Sequence, residues 1–80
     1  MRIIKEFLKD DIKVTLFHWN NRYLIKLEWD LFEQTFKVNE WDVTGEADMD
    51  EILNSEFLSA AAARFREMAT AFGRAMQRLA

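Results

Sequence analysis

Two asparagines at positions 20 and 21 interrupt a long run in which apolar and polar residues alternate. Asparagine tolerates the left-handed backbone that two-residue hairpin turns require, so this pair predicts a hairpin turn. Facing residues would then have numbers that sum to 41, with Val14 opposite Leu27 and Leu16 opposite Ile25. A shift of one residue would move every side chain to the other face, so the register is strongly specified.

The two faces of this hairpin differ in chemistry. One face would be almost wholly apolar and carries Ile12, Val14, Leu16, His18, Tyr23, Ile25, Leu27 and Trp29. The other face mixes aromatic, aliphatic and charged side chains and carries Lys13, Thr15, Phe17, Trp19, Arg22, Leu24, Lys26 and Glu28. Antiparallel sheets commonly pack one face on the core and leave the other to water. The first set is therefore predicted to be the core face, and the second the outer face.

A further strand is predicted on each side of the hairpin. The first strand covers Arg2–Leu8 and is followed by a turn at residues 9–11. Two alternating sets of its side chains are equally apolar, so which set faces the core stays open. These sets are Ile3 with Phe7 and Ile4 with Leu8. The other strand covers residues 33–38, where alternation resumes. A tight turn near residues 30–32 would place Phe36 and Val38 beside Leu27 and Ile25.

Beyond Gly45 the hydrophobic period changes to that of a helix. Asp48 and Glu51 have the spacing of a capping box, which predicts a short helix through Asn54. Residues 56–79 then carry one apolar stripe at helical spacing. Whether Ser55 caps this second helix or the two helices are continuous stays open.

The predicted fold is α+β, in one domain over residues 1–80 with a sheet at 1–39 and a helical part at 48–79. It is a four-stranded antiparallel β-meander followed by a short helix and one long C-terminal amphipathic helix packed on one sheet face. A helix of 24 residues spans about 36 Å. Strands of eight residues span only about 26 Å. The uncovered stripe predicts a homodimer, with a possible helix interface at Phe72, Met76 and Leu79.

The outer face is the most informative surface of the predicted sheet. Phe17, Trp19 and Leu24 would form an apolar patch there, flanked by basic residues at Lys13, Arg22, Lys26 and Lys37. Patches of this kind mark contact sites, and contact with another protein, either a second copy of the chain or a different chain, is the preferred interpretation. The alternative is single-stranded DNA or RNA, with the aromatic rings stacked on bases and the basic residues on phosphates.

Charge and architecture bear on that alternative in opposite directions. The net charge is −3, and residues 27–56 contain ten acids against one base, which repels phosphate. The order of elements, four strands and then a helix, is similar to that of purine-rich-element-binding (PUR) repeats and Whirly-type single-strand binders. The resemblance lies in element order alone, so it implies a nucleic-acid partner without assigning any residue.

The remaining residues favour a non-enzymatic protein without a cofactor or metal. There is no cysteine, and the single histidine, His18, has no predicted carboxylate on its face to orient it as a base. Trp29 is expected in the core, and Trp41 is expected to close one end of it. No apolar run approaches the roughly 18 residues of a membrane helix, and a signal-peptide core is absent from residues 1–5. A soluble, cytoplasmic protein is predicted.

Overall fold

The computed structural model describes residues 1–79 as a sheet with helices on one face. The strands are β1 (Arg2–Lys9), β2 (Ile12–Trp19), β3 (Arg22–Trp29) and β4 (Phe32–Asn39). They form one antiparallel sheet in chain order. A 3₁₀ turn at Glu40–Asp42 leads to helices α1 (Glu46–Ile52) and α2 (Ser55–Met76). The predicted α+β meander with a short and then a long helix is confirmed.

Short turns with left-handed backbone join the strands. The φ angles are positive at both residues of the first two turns and at the first residue of the third, at Asp10, Asp11, Asn20, Asn21 and Asp30. Asparagine and aspartate are the non-glycine residues that adopt this conformation most readily. The turn chemistry therefore sets the positions of all three hairpins.

The register is the predicted one in the central hairpin but not in the last. Between β2 and β3 every pair of residue numbers sums to 41. The prediction that placed Phe36 and Val38 beside Leu27 and Ile25 is wrong, because Phe36 pairs with Ile25 and Val38 with Tyr23. The turn contains only residues 30 and 31, so β4 starts earlier than the sequence pattern indicated.

A bulge decides which side of β1 is buried. The pairing with β2 slips between Ile3 and Lys5, which leaves Ile4 as the extra residue. Ile4 and Phe7 pack against the core, whereas Ile3 and Leu8 are exposed. The buried pair takes one residue from each predicted set, because a bulge reverses the alternation of side chains along a strand.

The core lies between the predicted core face and the two helices. The buried apolar residues of the sheet are Ile12, Val14, Leu16, Tyr23, Ile25 and Leu27. Those of the helical part are Met49, Leu53, Leu58, Ala61 and Phe65. Trp29 packs against this cluster, with its ring centroid 5.8 Å from that of Phe65. The expected placement of Trp29 and the packing of α2 on this face are confirmed.

The two helices are separate, and each start differs from the predicted one. Asn54 rather than Ser55 caps α2, because its Oδ1 accepts a hydrogen bond of 2.8 Å from the backbone N–H of Phe57. α1 begins at Glu46, two residues before Asp48. The Asp48 carboxylate reaches back and accepts hydrogen bonds from the backbone N–H and the hydroxyl of Thr44, at 2.8 and 2.9 Å.

These bonds make the start of α1 sensitive to acid. The backbone N–H of Thr44, and then its hydroxyl, lower the pKa of Asp48 from its ordinary value of 3.8. The stabilisation is therefore complete above the pKa of the unfolded chain and is lost as pH falls through the lowered value of the folded chain. Asp48→Asn is expected to lower the free energy of unfolding near neutral pH and to have a shrinking effect below about pH 4.

Urea unfolding of the wild type and of Asp48→Asn at several pH values measures this difference. Thr44→Ala is the matched control, because it removes the hydroxyl but leaves the backbone N–H that contributes most to the lowered pKa of Asp48. Its effect near neutral pH should be smaller. A difference between wild type and Asp48→Asn that does not change with pH would contradict this assignment.

Candidate interaction surfaces

The outer face of the sheet is uncovered and carries a continuous apolar row. Phe17 pairs directly with Leu24 on one side and with Ile3 on the other. Trp19, two residues along β2, is exposed beside this row. We call these four residues the outer patch. Sequence reasoning missed Ile3, because only the bulge in β1 turns its side chain toward this face.

The basic residues of the outer face are partly neutralised by carboxylates. Lys13 Nζ lies 3.7 Å from Glu6 Oε2, and Lys26 Nζ lies 3.7 Å from Glu33 Oε2. Arg22 and Lys37 have no such ion pair among residues 1–79. The outer face carries these four basic residues and three acidic ones, so its net charge is about +1. The acidic residues are Glu6, Glu28 and Glu33. Two of the lysines expected to bind phosphate are therefore already paired.

The C-terminal end of α2 projects beyond the sheet. Residues 70–79 are all exposed, including Phe72, Met76 and Leu79. The helix ends at Met76 rather than at residue 79, so Leu79 lies just beyond it. Leu31, in the turn between β3 and β4, is 87% exposed at the same end. A polar residue is usual at a turn position such as that of Leu31. We call Leu31, Phe72, Met76 and Leu79 together the helix-end patch.

Aromatic contacts fix the direction in which α2 projects. The rings of Phe65 and Trp29 have centroids 5.8 Å apart, and Phe72 meets Phe32 edge-on at 5.9 Å. Trp29 and Phe32 flank the turn between β3 and β4, so α2 leaves the sheet at that end. Trp19 lies at the opposite end and on the opposite face. The structure therefore keeps the two predicted interface sets apart.

His18 has a carboxylate partner that the sequence did not indicate. Its Nε2 lies 3.1 Å from Glu40 Oε1, and its ring centroid lies 4.9 Å from that of Tyr23. The prediction that His18 lacks an orienting carboxylate is wrong, because Glu40 comes from the 3₁₀ turn rather than from the sheet. Among residues 1–79 no three histidine or carboxylate side chains are grouped so that they could hold a metal ion.

The predicted place of Trp41 is also wrong. Trp41 is 76% exposed and does not close the core. It lies in the 3₁₀ turn, none of whose residues is buried. Val43, at the end of that turn, packs against the core instead. Trp41 thus adds a large apolar side chain to the surface at the end of β4.

No protein family matches this chain, and no curated protein or solved structure is similar to it at a significant level. Within residues 1–79, no helix has both the length and the apolar character needed to cross a membrane. The features of this chain that bear on function are therefore the two exposed patches and the charges around them.

Proposed function

We propose that this chain is a non-catalytic, homodimeric protein-interaction module. The observation that carries the proposal is the helix-end patch, which holds Leu31, Phe72 and two further apolar side chains in water. Burial of apolar surface contributes about 25 cal/mol per Å². A second copy is the simplest cover, because two-fold dimers are the commonest closed assemblies. We also propose a cytoplasmic location, which the cysteine-free composition supports.

The outer patch would then be a separate docking surface for another protein. Trp19 and Arg22 pair across the β2–β3 hairpin, and both residue types are enriched among the side chains that dominate interface energies. The near-neutral charge of this face suits a protein surface, since a strong field of one sign is not required. The outer patch and the helix-end patch lie on opposite faces and at opposite ends of the sheet. A dimer formed through the helix-end patch therefore leaves the outer face of each copy accessible.

Binding of single-stranded nucleic acid is the second candidate function. Arg22 and Lys37 favour it, because both lie beside the outer patch and neither forms an ion pair among residues 1–79. The pairing of Lys13 with Glu6 and of Lys26 with Glu33 weighs against it. Titration with a short single-stranded oligonucleotide at low salt separates the two candidates, since only phosphate contacts give binding that weakens steeply with added salt.

Sedimentation velocity over a concentration series tests the homodimer. The wild-type chain of 9.5 kDa is expected to move from a single-chain to a two-chain mass as its concentration rises through the micromolar range. A hydrophobic interface should also persist at about 0.5 M salt, where exposed ion pairs are screened. A single-chain mass up to several hundred micromolar would refute the proposal.

A further inference from the structure

The two edges of the sheet are protected unequally. An edge strand presents unpaired backbone N–H and C=O groups to which another strand can add. β1 is interrupted by its bulge and carries Lys5 on the core side, where Lys5 Nζ bonds Asp50 of α1 at 2.6 Å. β4 pairs with β3 over its full eight residues, with no bulge and no proline. The free edge of β4 is therefore the easier one to extend.

The backbone groups that β4 leaves free can be assigned from one hydrogen bond. The N–H of Glu40 donates to the carbonyl of Asn21 at 3.0 Å. Hydrogen-bonded and non-hydrogen-bonded pairs alternate along antiparallel strands, so the even-numbered residues of β4 bond to β3. The odd-numbered residues direct their N–H and C=O groups to the free edge, and all four of them are exposed: Glu33, Thr35, Lys37 and Asn39.

We propose that a second copy of this chain pairs antiparallel with β4 along this edge, with Thr35 facing the partner's Thr35 across the two-fold axis. The two four-stranded sheets then form one continuous sheet of eight strands. The odd-numbered residues face each other as hydrogen-bonded pairs in this arrangement. The inference rests on the proposed homodimer and assigns its interface.

Charge favours this register over its neighbours, because it alone sets Glu33 against Lys37. With Thr35 on the axis, Glu33 lies opposite the partner's Lys37, and the same pair forms again on the other side. Opposite charges facing each other across strands are stabilising, whereas like charges are destabilising. An axis at Glu33 or at Lys37 would place two like charges opposite each other. Lys37 forms no ion pair within residues 1–79, and Glu33 meets Lys26 only at 3.7 Å with its side chain exposed, so both charges can face the partner.

The same register brings two segments that carry exposed apolar side chains to each end of the interface. Leu31 comes opposite the partner's Asn39, so the partner's Trp41 reaches the end of the sheet from which α2 projects. Phe72, which is 51% exposed, meets Phe32 at that end. The arrangement thus sets the end of the sheet from which α2 projects beside the partner's 3₁₀ turn, and two-fold symmetry repeats this at the other end.

Proline at position 35 tests the pairing with little effect on the single chain. The N–H of Thr35 points to the free edge, where proline is tolerated, but proline removes the central donor and crowds an added strand. We expect Thr35→Pro to keep the circular dichroism spectrum of the wild type and to sediment as a single chain. Thr35→Val, the matched control, keeps the N–H and should sediment as a dimer.

A disulfide provides a second test that needs no proline. The chain contains no cysteine, and hydrogen-bonded antiparallel partners have Cα atoms about 5.5 Å apart, within the disulfide range. Thr35→Cys is expected to form a covalent dimer on mild oxidation. Lys13→Cys, on the outer face of β2, should cross-link at least about tenfold more slowly, because collision alone would bring its thiols together.

The outcomes separate this inference from the proposed function. Rapid cross-linking of Thr35→Cys supports edge pairing even if Thr35→Pro does not fold. A wild-type dimer whose Thr35→Cys variant cross-links no faster than Lys13→Cys overturns edge pairing and leaves the homodimer standing. A wild-type chain that sediments as a monomer at every concentration overturns both.

Discussion

Phe65→Ala is expected to lower the free energy of unfolding by about 3–5 kcal/mol. Phe65 is 1% exposed and packs against Trp29 where α2 crosses the sheet, so alanine would leave a cavity at the centre of the core. The whole stability of a domain is only about 5–15 kcal/mol, and this chain has 80 residues. Urea unfolding followed by circular dichroism measures the loss.

Phe72→Ala is the matched control for that experiment. It removes the same side chain from the same helix, two turns further on, where the residue is half exposed. Its cost should be below about 1 kcal/mol when measured at concentrations at which the chain is monomeric. Equal losses from the two variants would show that the end of α2 is packed on the sheet rather than projecting from it.

Phe72→Ser combined with Met76→Ser is expected to weaken self-association at least about 100-fold. Large apolar side chains that an interface buries cost about 2 kcal/mol or more when truncated, and 1.4 kcal/mol corresponds to tenfold in the dissociation constant. Both side chains lie in the helix-end patch, outside the buried core, so the single chain should still fold. Sedimentation velocity gives the dissociation constants of the variant and the wild type.

The outer patch provides the control for this second prediction. Phe17→Ala combined with Trp19→Ala removes two aromatic side chains from the uncovered face and should leave the dissociation constant within about threefold of the wild type. Loss of the dimer in this variant, with the helix-end variant unaffected, would place the self-association surface on the outer face instead.

The central hairpin and the long helix could be predicted because local patterns determine them. Alternation along β2 and β3 separates Leu27 from Leu24 without reference to any other part of the chain, and the asparagine turn sets their register. The apolar spacing of α2 likewise identifies Phe65 as inward-facing. The excess of helix length over strand length correctly indicated that Phe72 would lie at or beyond the end of the sheet.

The features that were missed depend on contacts between distant segments. The bulge after Ile3 arises from the pairing of β1 with β2, and either alternation of β1 alone was equally apolar. After β4 the chain turns so that Trp41 lies in water and Glu40 reaches His18. This segment is irregular, so it has no hydrophobic periodicity from which these positions could be predicted. The position of Leu31 followed from a turn that proved shorter than its sequence suggested.

Thiol labelling at two leucines of β3 tests most directly which face of the sheet is free. Leu24→Cys would present its thiol on the outer face, and Leu27→Cys would bury it under α2, where Leu27 is 0% exposed. In the folded protein Leu24→Cys is expected to react at least about 100-fold faster, and the rates should become equal in urea, because burial alone separates them. If Leu27→Cys were labelled as fast as Leu24→Cys under native conditions, the assignment of the two faces and every surface argued from it would be wrong.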